Sequence, residues 1–206
     1  MKRLQDKIAV VTGGNGVLGG AIAKGFAAEG AKVGIMGRTE ATVNQKVEEI
    51  KAAGGDAFAL VADVLDREQL EACKESVLQN YGQVDILVNA AGGNVKGAVI
   101  TPEQSIFDLN IEDFDKVNHL NFKGTLLPTL VFAKEMVEQK KGSIINISLM
   151  AAQRALTRVL GYAAAKAAVD NFTKWLAVEM NQKYGDGILK NADILIDDGK
   201  IVSIGK

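Results

Sequence analysis

The chain has 206 residues, 48% of them hydrophobic, enough for one sizeable buried core and too few to require two domains. Its 24 basic and 25 acidic residues nearly cancel, which excludes the electrostatic footprint of a nucleic-acid binder or a polybasic membrane face and leaves small molecules or a second copy as partners. Residues 1–6 run straight into a charged residue and a short apolar strand, neither a signal peptide nor a membrane span, so a cytoplasmic location is expected. A single cysteine, Cys73, excludes an internal disulfide and reads as packing.

Short apolar runs bounded by turn signals alternate with stretches of helical periodicity, as parallel strands joined by crossover helices require. Residues 7–11 read as the first strand and 17–29 as a helix closed by Gly30, with Ala21, Ile22, Gly25 and Phe26 able to face a sheet. Residues 32–36 read as the second strand, 40–53 as a helix ended by Gly54 and Gly55, 57–62 as the third strand and 67–81 as a helix. The fourth and fifth strands are expected at 84–88 and 142–147, with a long helix over 112–139 between them. Residues 161–183 form an alanine-rich helix able to pack tightly. Residues 92–110 lack periodicity and contain Pro102, so an irregular excursion near the strand ends is expected. The fold class is α/β: a three-layer, doubly wound parallel sheet of the Rossmann type.

The turn Thr12-Gly13-Gly14-Asn15-Gly16-Val17-Leu18-Gly19 joins the first strand to the first helix, the context in which a glycine-rich run binds a dinucleotide. A side chain there would hold the backbone away from the pyrophosphate, whose charge is met by N–H groups and the positive helix terminus. Gly19 would let the helix approach the strand. An ordinary glycine-rich turn is the alternative, which the strand-helix-strand setting disfavours.

Together with this turn, Asn89-Ala90-Ala91-Gly92, Asn121-Phe122-Lys123-Gly124 and Tyr162-Ala163-Ala164-Ala165-Lys166, taken in order, resemble the classical short-chain dehydrogenase/reductase family. Val17-Leu18-Gly19-Gly20 and Gly124-Thr125-Leu126-Leu127-Pro128-Thr129 are most similar to its D-mannonate oxidoreductase-like branch, which interconverts a sugar acid and its keto acid. The general family pattern has glycine where Val17 stands, and the sugar-acid branch carries valine. The resemblance implies an NAD(P)-dependent oxidoreductase acting on a secondary alcohol or ketone, with Gly13, Asn15, Gly16, Val17, Leu18 and Gly19 at the phosphates. It implies that Asp63 and Val64 hold the adenine, and that Asn89, Ala90, Ala91 and Gly92 support the central strand beside the cofactor. A helix cap or turn acid is the other reading of Asp63. No acid follows the second strand at Met36-Gly37-Arg38, where one would bind the ribose hydroxyls of NAD. Arg38 could meet the 2′-phosphate of NADP or be a solvated surface arginine, and the sugar-acid branch uses NAD, so NADP and NAD both stand.

Tyr162 and Lys166, four residues apart, project from one helical face. An adjacent ammonium should lower the phenol from its ordinary pKa of about 10. By resemblance Tyr162 is the acid/base, Lys166 also binds the nicotinamide ribose, and Asn121 distorts its helix and holds a water leading from the lysine to solvent. An ordinary helix-face asparagine is the alternative for Asn121. Lone His119 has no partner for a triad, and no metal site is expected.

The family usually reads Asn-Ile-Ser-Ser at the end of the fifth strand, its second serine polarising the substrate carbonyl, whereas this chain reads Asn146-Ile147-Ser148-Leu149. Ser148 could substitute only if the strand end bulged or turned early, because neighbouring strand residues face opposite ways. Loss of the polarising hydrogen bond can cost about a hundredfold in rate. A catalytically impaired dinucleotide-binding module is therefore the alternative function. The match covers about residues 4–187 and then breaks, so the expected division is a Rossmann domain over 1–187 and an atypical β-hairpin tail over 188–206. The tail, with Asp198-Gly199 between two apolar runs, resembles the opening strands of amidohydrolase-superfamily enzymes without their barrel or metal-binding histidines. It reads as a truncated or replaced C-terminal end that patches an exposed sheet edge. Self-association is expected through the helices at 113–139 and 161–183.

Overall fold

The structure, a computed structural model, describes residues 2–152, 154, 156–184, 189–197 and 200–204. Strands β1 (Ile8–Thr12), β2 (Lys32–Gly37), β3 (Asp56–Val61), β4 (Ile86–Asn89), β5 (Gly142–Ile147), β6 (Leu189–Asp197) and β7 (Lys200–Ile204) form one sheet in the order β3-β2-β1-β4-β5-β6-β7. All neighbours pair parallel except β6 with β7. The chain winds outward from β1 to β3 and returns to β4 on the other side of β1. The order thus reverses between β1 and β4, and the carboxyl ends of the strands open a crevice there.

The near-continuous apolar strands are explained by two buried faces. Ile8 and Val10 point to one side of β1, Ala9 and Val11 to the other, and all four are buried. Helices α1 (Val17–Ala28) and α2 (Glu40–Ala52) cover one face through Ile22, Ala23, Val43, Val47 and Ile50. The other face receives α3 (Arg67–Tyr81), α5 (Gly124–Glu138) and α6 (Leu160–Tyr184), whose Leu70, Val77, Phe132, Met136, Phe172 and Leu176 pack on Val10, Leu87 and Ile144. Each such side chain contributes about 1.5–3 kcal/mol by leaving water. Cys73 lies in this second layer, its thiol near the Val61 carbonyl, as a packing residue would.

Helix ends follow the sequence signals. Asp66 accepts the Gln69 N–H at the start of α3, and Gly82 ends it in the left-handed region at φ 74°. The excursion after β4 contains only short turns at Lys96–Ala98 and Ile106–Asp108 before α4 (Ile111–Asn118). One expectation needs correction: the helix over 112–139 is not continuous. A wide π turn at His119–Lys123 separates α4 from α5. The Asn121 amide donates to the Val117 carbonyl four residues back, at 2.8 Å, drawing that carbonyl out of the ordinary ladder.

At the C-terminal end, β6 lies parallel on β5 from Gly142↔Leu189 to Ile147↔Ile194, and so covers the edge that β5 would present. The Asp198-Gly199 turn expected between β6 and β7 lies outside the described residues. Among the described residues no helix is long and apolar enough to cross a membrane.

Candidate active site

The carboxyl end of β1 and the glycine turn form one wall of a cleft. Gly13 adopts φ 63°, and a Cβ there would lie 2.9 Å from the Ala91 Cα, so the backbones touch where a side chain could not fit. A Cβ on Gly19 would strike the Gly13 carbonyl. Thr12 Oγ1 accepts the Ala90 and Ala91 N–H groups, each at 3.1 Å, which ties β1 to the residues after β4. The Gly14 N–H donates to the Met36 carbonyl at 3.0 Å, and Asn15 Nδ2 donates to Thr42 Oγ1 at 2.9 Å, fixing the turn against β2 and α2. No side chain caps α1 and no acid stands in its first turn, so the positive end of the helix faces the cleft unneutralised. Val17, 96% exposed, stands at this opening.

The cleft has a volume of about 420 Å³ and runs across the strand ends. The glycine turn lines one part, Arg38, Asp63 and Val64 a second, Ala90, Ala91 and Gly92 the floor, and Tyr162 with Lys166 the far end. These residues, far apart in sequence, meet because parallel strands end on one side of the sheet. A long groove of mixed polar and apolar lining, with glycine backbone at its centre and a helix terminus aimed into it, fits a dinucleotide.

Asn89 stands behind the lining. Its Nδ2 donates to Thr129 Oγ1 at 2.9 Å and to Asn146 Oδ1 at 2.8 Å, and Asn146 Nδ2 donates to Thr173 Oγ1 at 2.8 Å. This buried rung locks β4 and β5 to α5 and α6. Asp63 Oδ1 accepts the Leu65 N–H at 2.9 Å, the turn role, while its other oxygen faces Arg38 Nη1 at 3.8 Å on the cleft wall. With Arg38 71% exposed, this long pair contributes little to stability and leaves the guanidinium movable.

Lys166 is 2% exposed, with Nζ donating to the Ile147 carbonyl at 2.8 Å and lying 5.6 Å from the Tyr162 ring centre. Burial pulls its ammonium down to about 8, with Asp170 resisting. Burial also pushes the Tyr162 phenol up from its ordinary value. The expected lowering of Tyr162 by Lys166 is thus absent from this arrangement, because the ammonium is turned to the β5 carbonyl.

Asn121 is fully buried and outside the cleft lining. Its amide donates to the Gly93 carbonyl at 2.7 Å and accepts the Gly93 N–H at 3.1 Å, so it clamps the backbone that follows the floor of the cleft. Ser148 is not brought to the cleft: β5 ends at Ile147, and the serine hydroxyl lies 3.4 Å from the Lys166 carbonyl, turned toward α6. Ile147 occupies the lining instead. Gly37, Thr39, Ala62, Gly93, Leu120 and Ile147 line the cleft without having been singled out in the sequence as site residues. All but Leu120 closely follow, or end, a strand of the parallel sheet, a position that does carry a signal.

Residues 7–186 match the model of the short chain dehydrogenase family. The uncharacterized oxidoreductase UxuB of Bacillus subtilis is 45% identical over 185 residues, covering 86% of this chain and 66% of that protein. The crystal structure of a candidate D-mannonate oxidoreductase from Haemophilus influenza with bound NAD superposes with a TM-score of 0.84 at 33% identity, over 97% of this chain and 75% of that one. A metagenomic short-chain oxidoreductase in complex with NADP gives 0.80 at 28% identity, over 92% and 81%. The chain spans about two thirds of the length of the first curated relatives it matches. With one continuous cleft at the sheet reversal and the family match over nearly its whole length, the chain belongs to the short-chain dehydrogenase/reductase family.

Proposed function

We propose that the chain is an NAD(P)-dependent oxidoreductase of the cytoplasm that interconverts a secondary alcohol and a ketone, with a sugar acid such as D-mannonate and its keto acid D-fructuronate as substrate pair. The observation that carries this reading is the single cleft whose lining joins the glycine turn to Tyr162 and Lys166. The sugar-acid substrate rests on similarity to the candidate D-mannonate oxidoreductase.

The N–H groups of Gly16 to Gly19 and the positive end of α1 receive the pyrophosphate. Asp63 and Val64 flank the adenine, and Arg38, free to leave its long pair with Asp63, meets the 2′-phosphate when NADP is used. The floor residues Ala90 to Gly92 bring backbone against the dinucleotide. The nicotinamide, when bound, supplies or takes the hydride. In the reducing direction the Tyr162 O–H donates its proton to the ketone oxygen, and its elevated pKa keeps that proton in place until charge develops there. In the oxidising direction Tyr162 must first lose its proton to solvent; Lys166, turning its ammonium from the Ile147 carbonyl to the phenolate, would stabilise that charge, and the phenolate would then take the alcohol proton and become neutral phenol again. Asn121 acts through Gly93, keeping the floor in register. Self-association uses α4, α5 and α6.

Tyr162→Phe is the direct test. Reduction of D-fructuronate by NADH or NADPH should fall about 10²- to 10⁴-fold while the reduced dinucleotide still binds. Unchanged turnover would remove Tyr162 from the reaction. Dinucleotide binding without turnover in the unsubstituted chain, restored by Leu149→Ser, would identify the impaired module instead.

A further inference from the structure

A second cavity, of about 600 Å³, lies beside the start of α6. Its walls come from two segments: the excursion after β4, through Ile100 and Ile106, and residues preceding or opening α6, through Leu156, Arg158 and Leu160. Leu160 and Ala163 bracket Tyr162 along the chain, and the excursion is the direct continuation of the backbone that floors the dinucleotide cleft. Both cavities therefore border the phenol-bearing end of α6.

Arg158 is the one ionisable side chain in a lining that is otherwise apolar apart from Thr101, Gln104 and Thr157, among the described residues. Three further observations single it out. It is held at φ 76°, a left-handed conformation unusual for a long side chain, and such strain gathers at ligand-binding positions. Its carbonyl accepts the Ile100 N–H at 2.9 Å, which pins this strained residue between the two walls. It makes no ion pair among the described residues, whereas the cations of the dinucleotide cleft are both engaged: Lys166 on the Ile147 carbonyl and Arg38 beside Asp63.

Resting on the oxidoreductase reading above, we infer that this cavity is the substrate subsite and that Arg158 receives the carboxylate of a hydroxy acid or keto acid. Thr101, Gln104 and Thr157 in the walls offer polar groups to the hydroxylated carbon chain, and the planar guanidinium donates paired N–H bonds to both carboxylate oxygens. A neutral sugar alcohol or amide leaves the guanidinium without its anion, so the charge selects acids over neutral analogues of the same shape.

The test is equilibrium calorimetry of D-mannonate and of neutral D-mannonamide, each added with the reduced dinucleotide that binds, NADH or NADPH, present so that no turnover occurs. The unsubstituted chain should bind the acid about ten- to a hundredfold more tightly than the amide. Arg158→Gln, which removes the charge, and Arg158→Gly, which also relieves the backbone, should both lose that preference while binding of the reduced dinucleotide is unchanged. Arg158→Lys should keep part of it. Equal binding of acid and amide by the unsubstituted chain, or an intact preference in Arg158→Gln, would overturn the assignment and leave the dinucleotide and Tyr162 results standing. Failure of both NADH and NADPH to bind would remove the oxidoreductase reading and this subsite together.

Discussion

Lys166 is buried with one carbonyl as its partner, so its proton is held less firmly in the folded chain than in the unfolded one, at about 8 against an ordinary value of 10.5. Below pH 8 both states carry the proton and the folded state bears the whole desolvation penalty. From about 8 up to the ordinary lysine range the unfolded chain binds more protons, so this group makes stability rise with pH. Urea unfolding of the dinucleotide-free protein should show the stability of the unsubstituted chain, relative to Lys166→Met, increasing between about pH 7.5 and about pH 9.5. A flat or falling difference would mean that the ammonium is solvated. The four-residue spacing of Tyr162 and Lys166 is visible in the sequence because helix periodicity alone sets it. The engagement of Lys166 with Ile147 is not visible, since it depends on the separation of β5 and α6. For the same reason the sequence offers Ser148 as a substitute hydroxyl and the fold turns it toward α6.

The π turn between α4 and α5 is the element on which the floor of the cleft depends. Asn121 makes three hydrogen bonds from inside it, two to Gly93 and one to Val117. Asn121→Leu leaves those backbone groups unsatisfied in a buried position, at a cost of about 3 kcal/mol. Thermal unfolding should fall by about 6–12 °C, together with weaker dinucleotide binding. A midpoint within about 1 °C of the unsubstituted chain would show that water or a neighbour replaces the clamp. Strands and helices were legible from apolar runs and turn residues, and the strand-helix order led directly to the doubly wound sheet. The break at His119–Lys123 was not legible in the periodicity, because a π turn shifts the helix by a fraction of a turn and leaves the apolar pattern on both sides intact; only the resemblance pointed to a distortion at Asn121.

For the whole molecule, the decisive feature is the reversal of strand order between β1 and β4, which opens the crevice and places the uncapped end of α1 at its centre. Everything proposed about chemistry rests on a dinucleotide lying there. The most direct measurement is fluorescence titration of NADH and NADPH into the unsubstituted chain and into Val17→Asp. Val17 is almost fully exposed, and an acid in the first turn of a helix does not disturb folding. It would place negative charge where the proposed site receives the pyrophosphate. The unsubstituted chain should bind at least one of the two saturably at one site, and Val17→Asp should weaken that binding at least about tenfold with an unchanged thermal midpoint. No saturable binding, or equal affinity in Val17→Asp, would contradict a dinucleotide at the glycine turn.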